Sequence, residues 1–472
     1  MNVEKNRYSY YHTWEQKENP TLTITKQSIP IDPSIICYTM NNACVYNRDW
    51  ENRRSERVEG YELGRLLWMG CLCYVLTGFT LVIVGSVLPE LLAFYGKSYN
   101  DGGLLVFIQF IGLLCGVLCM PVFTKLAGRR WTVVLGLLFL SVETCFVAAP
   151  SWGWTTPILF AAGFGAGLVE ASIGSLVLLA AGDRPAAAMS RLEITFGIGA
   201  LTMPFLVSFL IKRGAWIYAF PTLGLGSLLL AAVWMFLRFG PLNRSLRKGV
   251  LFEVEGGVSD SSDAEKTQTI PSSGARLSRT SVFVLCALFF SLYGGSEASL
   301  IHFLPSVYIE DRMATASAAS LVVTVYWVGM VIGRAVTGLL ADRFGYYPFL
   351  LVSTLGAVLS LALTAMGGGL WSGFALAFCI GLFMSGMFAI ALIFANQQIP
   401  GRTDKTTSLL MAVNGLGGAL LPYLAGWTME TFSANMTVWL LTISMGCMLL
   451  FLVLVHQLGW ITRWSRRAAE KR

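Results

Sequence analysis

The chain has 472 residues, 55% of them hydrophobic and 13% charged, with a formal net charge of +7. Soluble domains carry about 25% charged residues, so this balance excludes an ordinary water-soluble enzyme or binding module. The Lys and Arg residues sit in short loops and tails, so the charge reads as membrane topology and not as a nucleic-acid surface.

Residues 1–64 are polar and contain neither an apolar core segment nor a cleavable signal peptide. They read as a disordered cytoplasmic tail. Six apolar runs follow at 65–95, 102–124, 131–150, 155–181, 188–211 and 216–238. A hydrophilic stretch, 239–280, holds LNRSLRKG and VEGGVSDSSDAEKTQTIPSSGARLSR and reads as a flexible cytoplasmic linker. Six more runs occupy 281–309, 316–341, 347–366, 370–396, 406–429 and 434–459, and a basic tail closes the chain at 461–472. Runs of this length cross a hydrocarbon core of about 30 Å as helices, which satisfy their backbone internally. The expected fold is an all-α membrane protein of twelve transmembrane helices. Its domains are a bundle at 65–238 and a second at 281–460.

Basic residues orient it. Arg53, Arg54, Arg57 and Arg65, then Lys125, Arg129 and Arg130, then Arg184, Arg244, Arg247, Lys248, Arg343, Arg402 and Lys405 all fall on one side. The other side has Lys97, Lys212, Arg213 and Arg312. Both termini and the linker are therefore expected in the cytoplasm, with the protein in the plasma membrane.

The two halves repeat. A shift of 216–218 residues brings Pro89 onto Pro305, Gly112 onto Gly329, Gly116 onto Gly333 and Gly128 onto Gly345. It also brings Gly163 onto Gly381, Ser190 onto Ser408, and Gly197, Gly199 and Pro204 onto Gly415, Gly417 and Pro422. Such a series predicts two pseudo-symmetric six-helix bundles with a site between them near mid-membrane.

Charge inside the apolar runs marks candidate function, because a carboxylate at the centre of a membrane helix costs about 2.5–3.5 kcal/mol on insertion scales. Glu170 and Glu193 flank the turn Gly182–Pro185 at similar distances, which puts both carboxylates at one depth. They would titrate as a coupled pair and are the candidate proton-coupling residues. Helix packing and neutralisation of Glu193 by Arg184 or Arg191 are the structural alternatives. Glu297, midway through the seventh run, has Tyr293, Ser296 and His302 as neighbours. Glu143 reads as structural. The ten cysteines match no metal pattern: eight sit in or near the spans as small apolar fillers, and Cys37 and Cys44 lie in the tail. No cofactor or metal is expected, and no phosphate loop or nucleophile triad suggests an enzyme.

The segment GRAVTGLLADRFG, Gly333 to Gly345, resembles the signature loop of the major facilitator superfamily. The resemblance implies a latch for the outward-facing state, formed by Gly338, Asp342, Arg343 and Gly345. The first-half counterpart, PVFTKLAGRRW, departs from the pattern at Pro121 and Lys125. Four further segments, GLVEASIGSLVL, MSRLEITFGIGALTMP, YGGSEASLIHFLPS and VYWVGMVIGR, resemble the fucose permease-like branch, and within it the bacterial glucose/mannose–proton symporters. The similarity covers about 65–460. It implies the major facilitator fold and a proton role at Glu170. The first span has no acid at mid-depth, only Thr77, Thr80 and Ser86, so Glu193 or Glu297 must be the partner.

Sugar recognition needs neutral hydrogen-bonding groups and aromatic faces. Gln109, Trp327, Tyr293, His302 and Asn414, with Glu297, are the candidate substrate-binding residues; Asn396 and Gln397 are weaker ones. The expected function is inward transport of a small neutral solute, a hexose such as glucose or mannose, with a proton. The alternative is proton-driven efflux of drugs or metabolites. The partners are the solute, protons and the lipid bilayer, with no nucleic acid, and the carrier is expected to be monomeric.

Overall fold

The computed structural model describes residues 64–148, 151–177, 188–237, 280–398, 406–407 and 409–458. Met1–Glu62 clusters as a separate unit. There the backbone pairs His12–Thr13 with Thr25–Lys26, and Cys37–Met40 with Ala43–Tyr46, where the sequence predicts a disordered tail. Helical backbone also begins inside that expected tail, at Asp49; the remainder of the tail, most of the linker 239–280, the turn at 182–184 and the side chains of 461–472 lie outside the described residues.

Among the described residues, twelve helices long and apolar enough to cross a membrane follow one another. They are α1 (Gly64–Tyr95), α2 (Tyr99–Ala127), α3 (Arg129–Ala148), α4 (Trp152–Val177), α5 (Ala188–Lys212), α6 (Trp216–Phe236), α7 (Thr280–Arg312), α8 (Ala316–Phe344), α9 (Tyr346–Ala365), α10 (Leu370–Gln398), α11 (Leu409–Thr431) and α12 (Ala434–Leu458). Three depart from a continuous α-helix, α6 because its first residues, Trp216–Tyr218, form a 3₁₀ turn. The end of α3 tightens into a 3₁₀ stretch, Val142–Ala148, and α10 breaks between Met384 and Met387. Within lipid, apolar burial does not select one helix partner over another, so close packing does.

The packing carries the repeat down to single contacts. Gly163 of α4 lies so close to the Gln109 carbonyl of α2 that a Cβ would collide with it. Gly381 of α10 stands in the same relation to the Tyr326 carbonyl of α8. Gly199 of α5 lies against the Val75 carbonyl of α1, and Gly417 of α11 against the Ser291 carbonyl of α7. Each contact recurs 216–218 residues later, so the two bundles share one internal architecture. Gly128 and Gly345 end α2 and α8 with φ of 87° and 89°, a conformation that L side chains rarely adopt.

The bundles meet backbone to backbone toward one end. That end carries Tyr99, Glu310 and Glu430; the other, the basic face, carries Arg129 and Arg343. Near the first, Ser208 Oγ of α5 donates to the Ser317 carbonyl of α8 (2.8 Å), and Ser320 Oγ donates to the Pro204 carbonyl (3.0 Å). There α1 and α7 touch backbone to backbone at Gly85, and a Cβ on Gly103 of α2 would lie 3.1 Å from the Tyr423 carbonyl of α11. Toward the basic face the helices diverge.

Candidate functional site

The divergence encloses a cavity of about 540 Å³ between the bundles. Its aromatic walls are Tyr74, Phe110, Phe196, Tyr293, Trp327 and Phe388, and its charged side chains are Glu170, Glu193, Glu297 and Arg334. Val117, Glu193 and Met411 line it near the basic-face ends of α2, α5 and α11 and are exposed, so the mouth opens on that face. The molecule is thus open to the basic face and sealed at the other.

The pseudo-symmetry makes the site asymmetric in charge. With the offset of each helix pair, Arg334 corresponds to Val117, Glu297 to Leu81, Trp327 to Phe110, Asn414 to Phe196, Glu170 to Phe388 and Glu193 to Met411. Every member of these six pairs lines the cavity. The fold therefore supplies twofold-related positions, and the sequence puts a polar or hydrogen-bonding side chain on one member of each pair and a purely apolar one on the other.

Arg334 organises the charges. Its Nη1 lies 3.9 Å from Glu193 Oε2 of α5, and its Nη2 lies 3.9 Å from Glu297 Oε1 of α7. Both separations exceed a hydrogen bond; they are electrostatic contacts that leave Nη1 without a hydrogen-bond partner. The Trp327 ring stands 5.6 Å from the guanidinium carbon, within cation–π range. Glu193 belongs to the first bundle, whereas Arg334 and Glu297 belong to the second, so this line of charge crosses between them. Glu193 is 54% exposed and Arg334 24%.

Glu170 sits deeper on the α4 wall. The Tyr74 hydroxyl donates to its backbone carbonyl at 3.2 Å, and its own Oε1 has no hydrogen-bond partner. Glu170 and Glu193 line one cavity from neighbouring helices. Among the described residues the counter-ion of Glu193 is Arg334; Arg191 is exposed, and neutralisation by Arg184 lies outside the described residues.

Of the expected substrate residues, Glu297, Trp327, Tyr293 and Asn414 line the cavity. Gln109 and His302 do not: both are fully buried, Gln109 Nε2 donates to the Thr80 carbonyl at 2.8 Å, and His302 lies under the sealed end of α1. Asn396 is tied to Thr407 Oγ1 at 2.9 Å, a packing role. Glu143 is buried in the 3₁₀ end of α3, away from the cavity. In the latch segment a Cβ on Gly338 would meet nothing within 4 Å among the described residues, and Asp342 and Arg343 are exposed. Among the described residues no cluster of His, Cys, Asp or Glu could hold a metal ion.

Sequence reading passed over Arg334. The argument that singles out a buried acid applies equally to a lone arginine inside an apolar run. Its place at the start of the segment Gly333–Gly345 hid it among latch residues.

Two six-helix bundles around a central charged cavity, open at one membrane face, define a membrane carrier. The family model described as Major Facilitator Superfamily matches residues 70–308 and 285–469, and the chain belongs to that superfamily. It is 30% identical over 378 residues to the glucose/mannose transporter GlcP of Bacillus subtilis, covering 77% of this chain and 88% of that one. It is 24% identical over 386 residues to a putative glucose/galactose transporter of Helicobacter pylori, again covering 77% and 88%. Among solved structures, the xylose transporter XylE of E. coli, in a partially occluded inward open conformation, superposes with a TM-score of 0.63. At 14% identity, over 82% of this chain and 98% of that one, it shares the fold.

Proposed function

We propose that this carrier moves a small neutral polyhydroxylated solute of hexose size inward together with a proton, by alternating access. The observation that carries the reading is the charge bridge Glu193–Arg334–Glu297, which runs from one bundle to the other across the mouth of the cavity. Outward opening closes that mouth and draws α5 toward α8. An ionised Glu193 then gains attraction to Arg334 and holds the inner side shut. Protonated Glu193 loses that attraction, so the inner mouth opens and releases solute and proton. Empty and deprotonated, the carrier returns outward. Glu170, in the same cavity, is the second proton site. The cavity's aromatic faces and hydrogen-bonding groups, Trp327, Tyr293 and Asn414, suit a sugar ring. The sugar transporters among its relatives support the same substrate class.

One inward proton at 100 mV supplies about 2.3 kcal/mol, enough for roughly fifty-fold accumulation of a neutral solute at 1.4 kcal/mol per decade. The basic-loop rule puts the basic face in the cytoplasm and the carrier in the plasma membrane, working as a monomer.

A second reading has its own observation. With Gln109 outside the cavity, aromatic and aliphatic side chains dominate the walls beside three carboxylates, a lining that suits an organic cation expelled against protons. Counterflow in proteoliposomes with labelled glucose, mannose and fucose decides between the two. Sugar exchange that accelerates with an inward proton gradient supports symport. Absence of sugar exchange, with proton-driven uptake of a lipophilic cation into inverted vesicles, supports antiport.

A further inference from the structure

The sealed end of the α1–α7 contact is an unusual place for polar side chains. At Gly85 the two backbones meet: a Cβ there would collide with His302 Cα and the Ile301 carbonyl. His302 is fully buried, and neither Nδ1 nor Nε2 has a hydrogen-bond partner among the described residues. Ser306, one turn further along α7, is equally buried, with its Oγ unpartnered. On α1, Ser86 is buried and turns its Oγ back onto the Val82 carbonyl at 2.9 Å, and Glu90, one turn on, leaves Oε2 unpartnered. The 216-residue offset relates Ser86 to His302 and Glu90 to Ser306. Both helices therefore put hydrogen-bonding groups at the same two positions near the pseudo-twofold axis. A permanent seal would gain from apolar residues here, because buried donors and acceptors without partners cost stability. A seam that water or solute reaches in another state recovers those bonds.

A vestibule opens at its rim. Glu90 lines an outer vestibule of about 690 Å³ together with Lys97, Tyr99, Glu310 and Glu430. Tyr99 clasps the bundles beside it. Its hydroxyl donates to Glu310 Oε1 of α7 at 2.7 Å, and its backbone N–H donates to Glu430 Oε2 of α11 at 3.0 Å. One residue of α2 thereby holds two helices of the other bundle.

We infer that the α1–α7 seam is an outward-facing subsite for the solute, walled by Ser86, Glu90, His302 and Ser306 and closed by the Tyr99 clasp. It rests on the carrier reading given above. Hydroxyl, imidazole and carboxyl groups at one seam can donate to and accept from a neutral polyhydroxy compound, and the aromatic edge of Phe110, 5.9 Å from the His302 ring, bounds its inner end.

The test uses Ser306→Cys in sealed right-side-out vesicles, treated from outside with a membrane-impermeant maleimide, with and without Tyr99→Phe. The unsubstituted chain sets the background of its own cysteines. Ser306→Cys is expected to react above background, roughly tenfold faster once the clasp hydroxyl is removed, and more slowly in saturating glucose. A Ser306→Cys protein that folds, read as a cooperative melt in detergent, yet reacts no faster than background, with or without Tyr99→Phe, overturns the subsite. If that variant does not fold, Ser86→Cys on the facing wall gives the same readout. Failure of the unsubstituted chain to exchange any sugar would sink the sugar reading, whereas the labelling rates decide the seam independently.

Discussion

Arg334 and Glu193 stand 3.9 Å apart on different bundles, with no hydrogen bond between them. The same guanidinium lies 3.9 Å from Glu297 on its own bundle. The two carboxylates are not equivalent. Glu193 is 54% exposed and screened by water at the mouth, whereas the Glu297 side chain is only 20% exposed. Removing the arginine therefore harms chiefly Glu297, since a buried charge left without its partner costs about 3–5 kcal/mol, whereas a pair with one exposed member is worth about 1 kcal/mol or less.

It follows that Arg334→Gln lowers thermal stability in detergent. Adding Glu297→Gln restores most of the loss, and adding Glu193→Gln restores little. Melting temperatures of the three variants check this. Equal rescue by both second substitutions would contradict the assignment of Glu297 as the dependent partner.

Glu170→Gln keeps the shape of the α4 wall and removes one protonation site. Proton-driven accumulation should fall from as much as roughly fifty-fold to about one, while sugar counterflow, which needs no proton movement, persists. Uptake and counterflow measured on one vesicle preparation, with and without a pH gradient, separate the two. Unchanged gradient-driven uptake would remove Glu170 from coupling.

Three glycines test packing against conformational change. Gly163→Ala and Gly381→Ala force a Cβ into the facing carbonyls of Gln109 and Tyr326, and each should destabilise by about 1–3 kcal/mol. Gly338 faces open space in this state, so Gly338→Ala should leave the melting temperature unchanged. If the latch forms on outward opening, the same substitution lowers outward exposure, read as slower maleimide labelling of Ser306→Cys. A loss of stability in Gly338→Ala would mean that the segment is already packed.

Glu143 is fully buried, and neither carboxyl oxygen has a hydrogen-bond partner among the described residues. Replacing a polar group of this kind by an apolar one of similar shape is close to neutral or stabilising. Glu143→Met should match or exceed the parent in stability and retain sugar counterflow. A transport defect in a stable Glu143→Met protein would give this acid a role that its position outside the cavity does not.

Much of this molecule is written locally. Span number and limits follow from apolar run length, because a helix must cross a hydrocarbon core of given thickness and cannot leave backbone groups unpaired there. The repeat is legible because close helix approach demands glycine, so Gly112 and Gly163 return, within one residue of the same spacing, as Gly329 and Gly381. Glu170 and Glu297 stand out because few charges enter apolar runs without function. What one dimension does not hold is which helices face one another and which end of their contact is closed. Arg334 meets Glu193 only because α8 packs beside α5 across the two bundles. Gln109 and His302 have the chemistry of a sugar site, yet Gln109 is turned onto the Thr80 carbonyl of α1 and His302 is shut in the closed α1–α7 seam, so neither lines the cavity open to the basic face. Side-chain chemistry and spacing belong to the sequence; access to solvent, which makes a polar residue a ligand in one state and a buried seam in another, belongs to the tertiary arrangement.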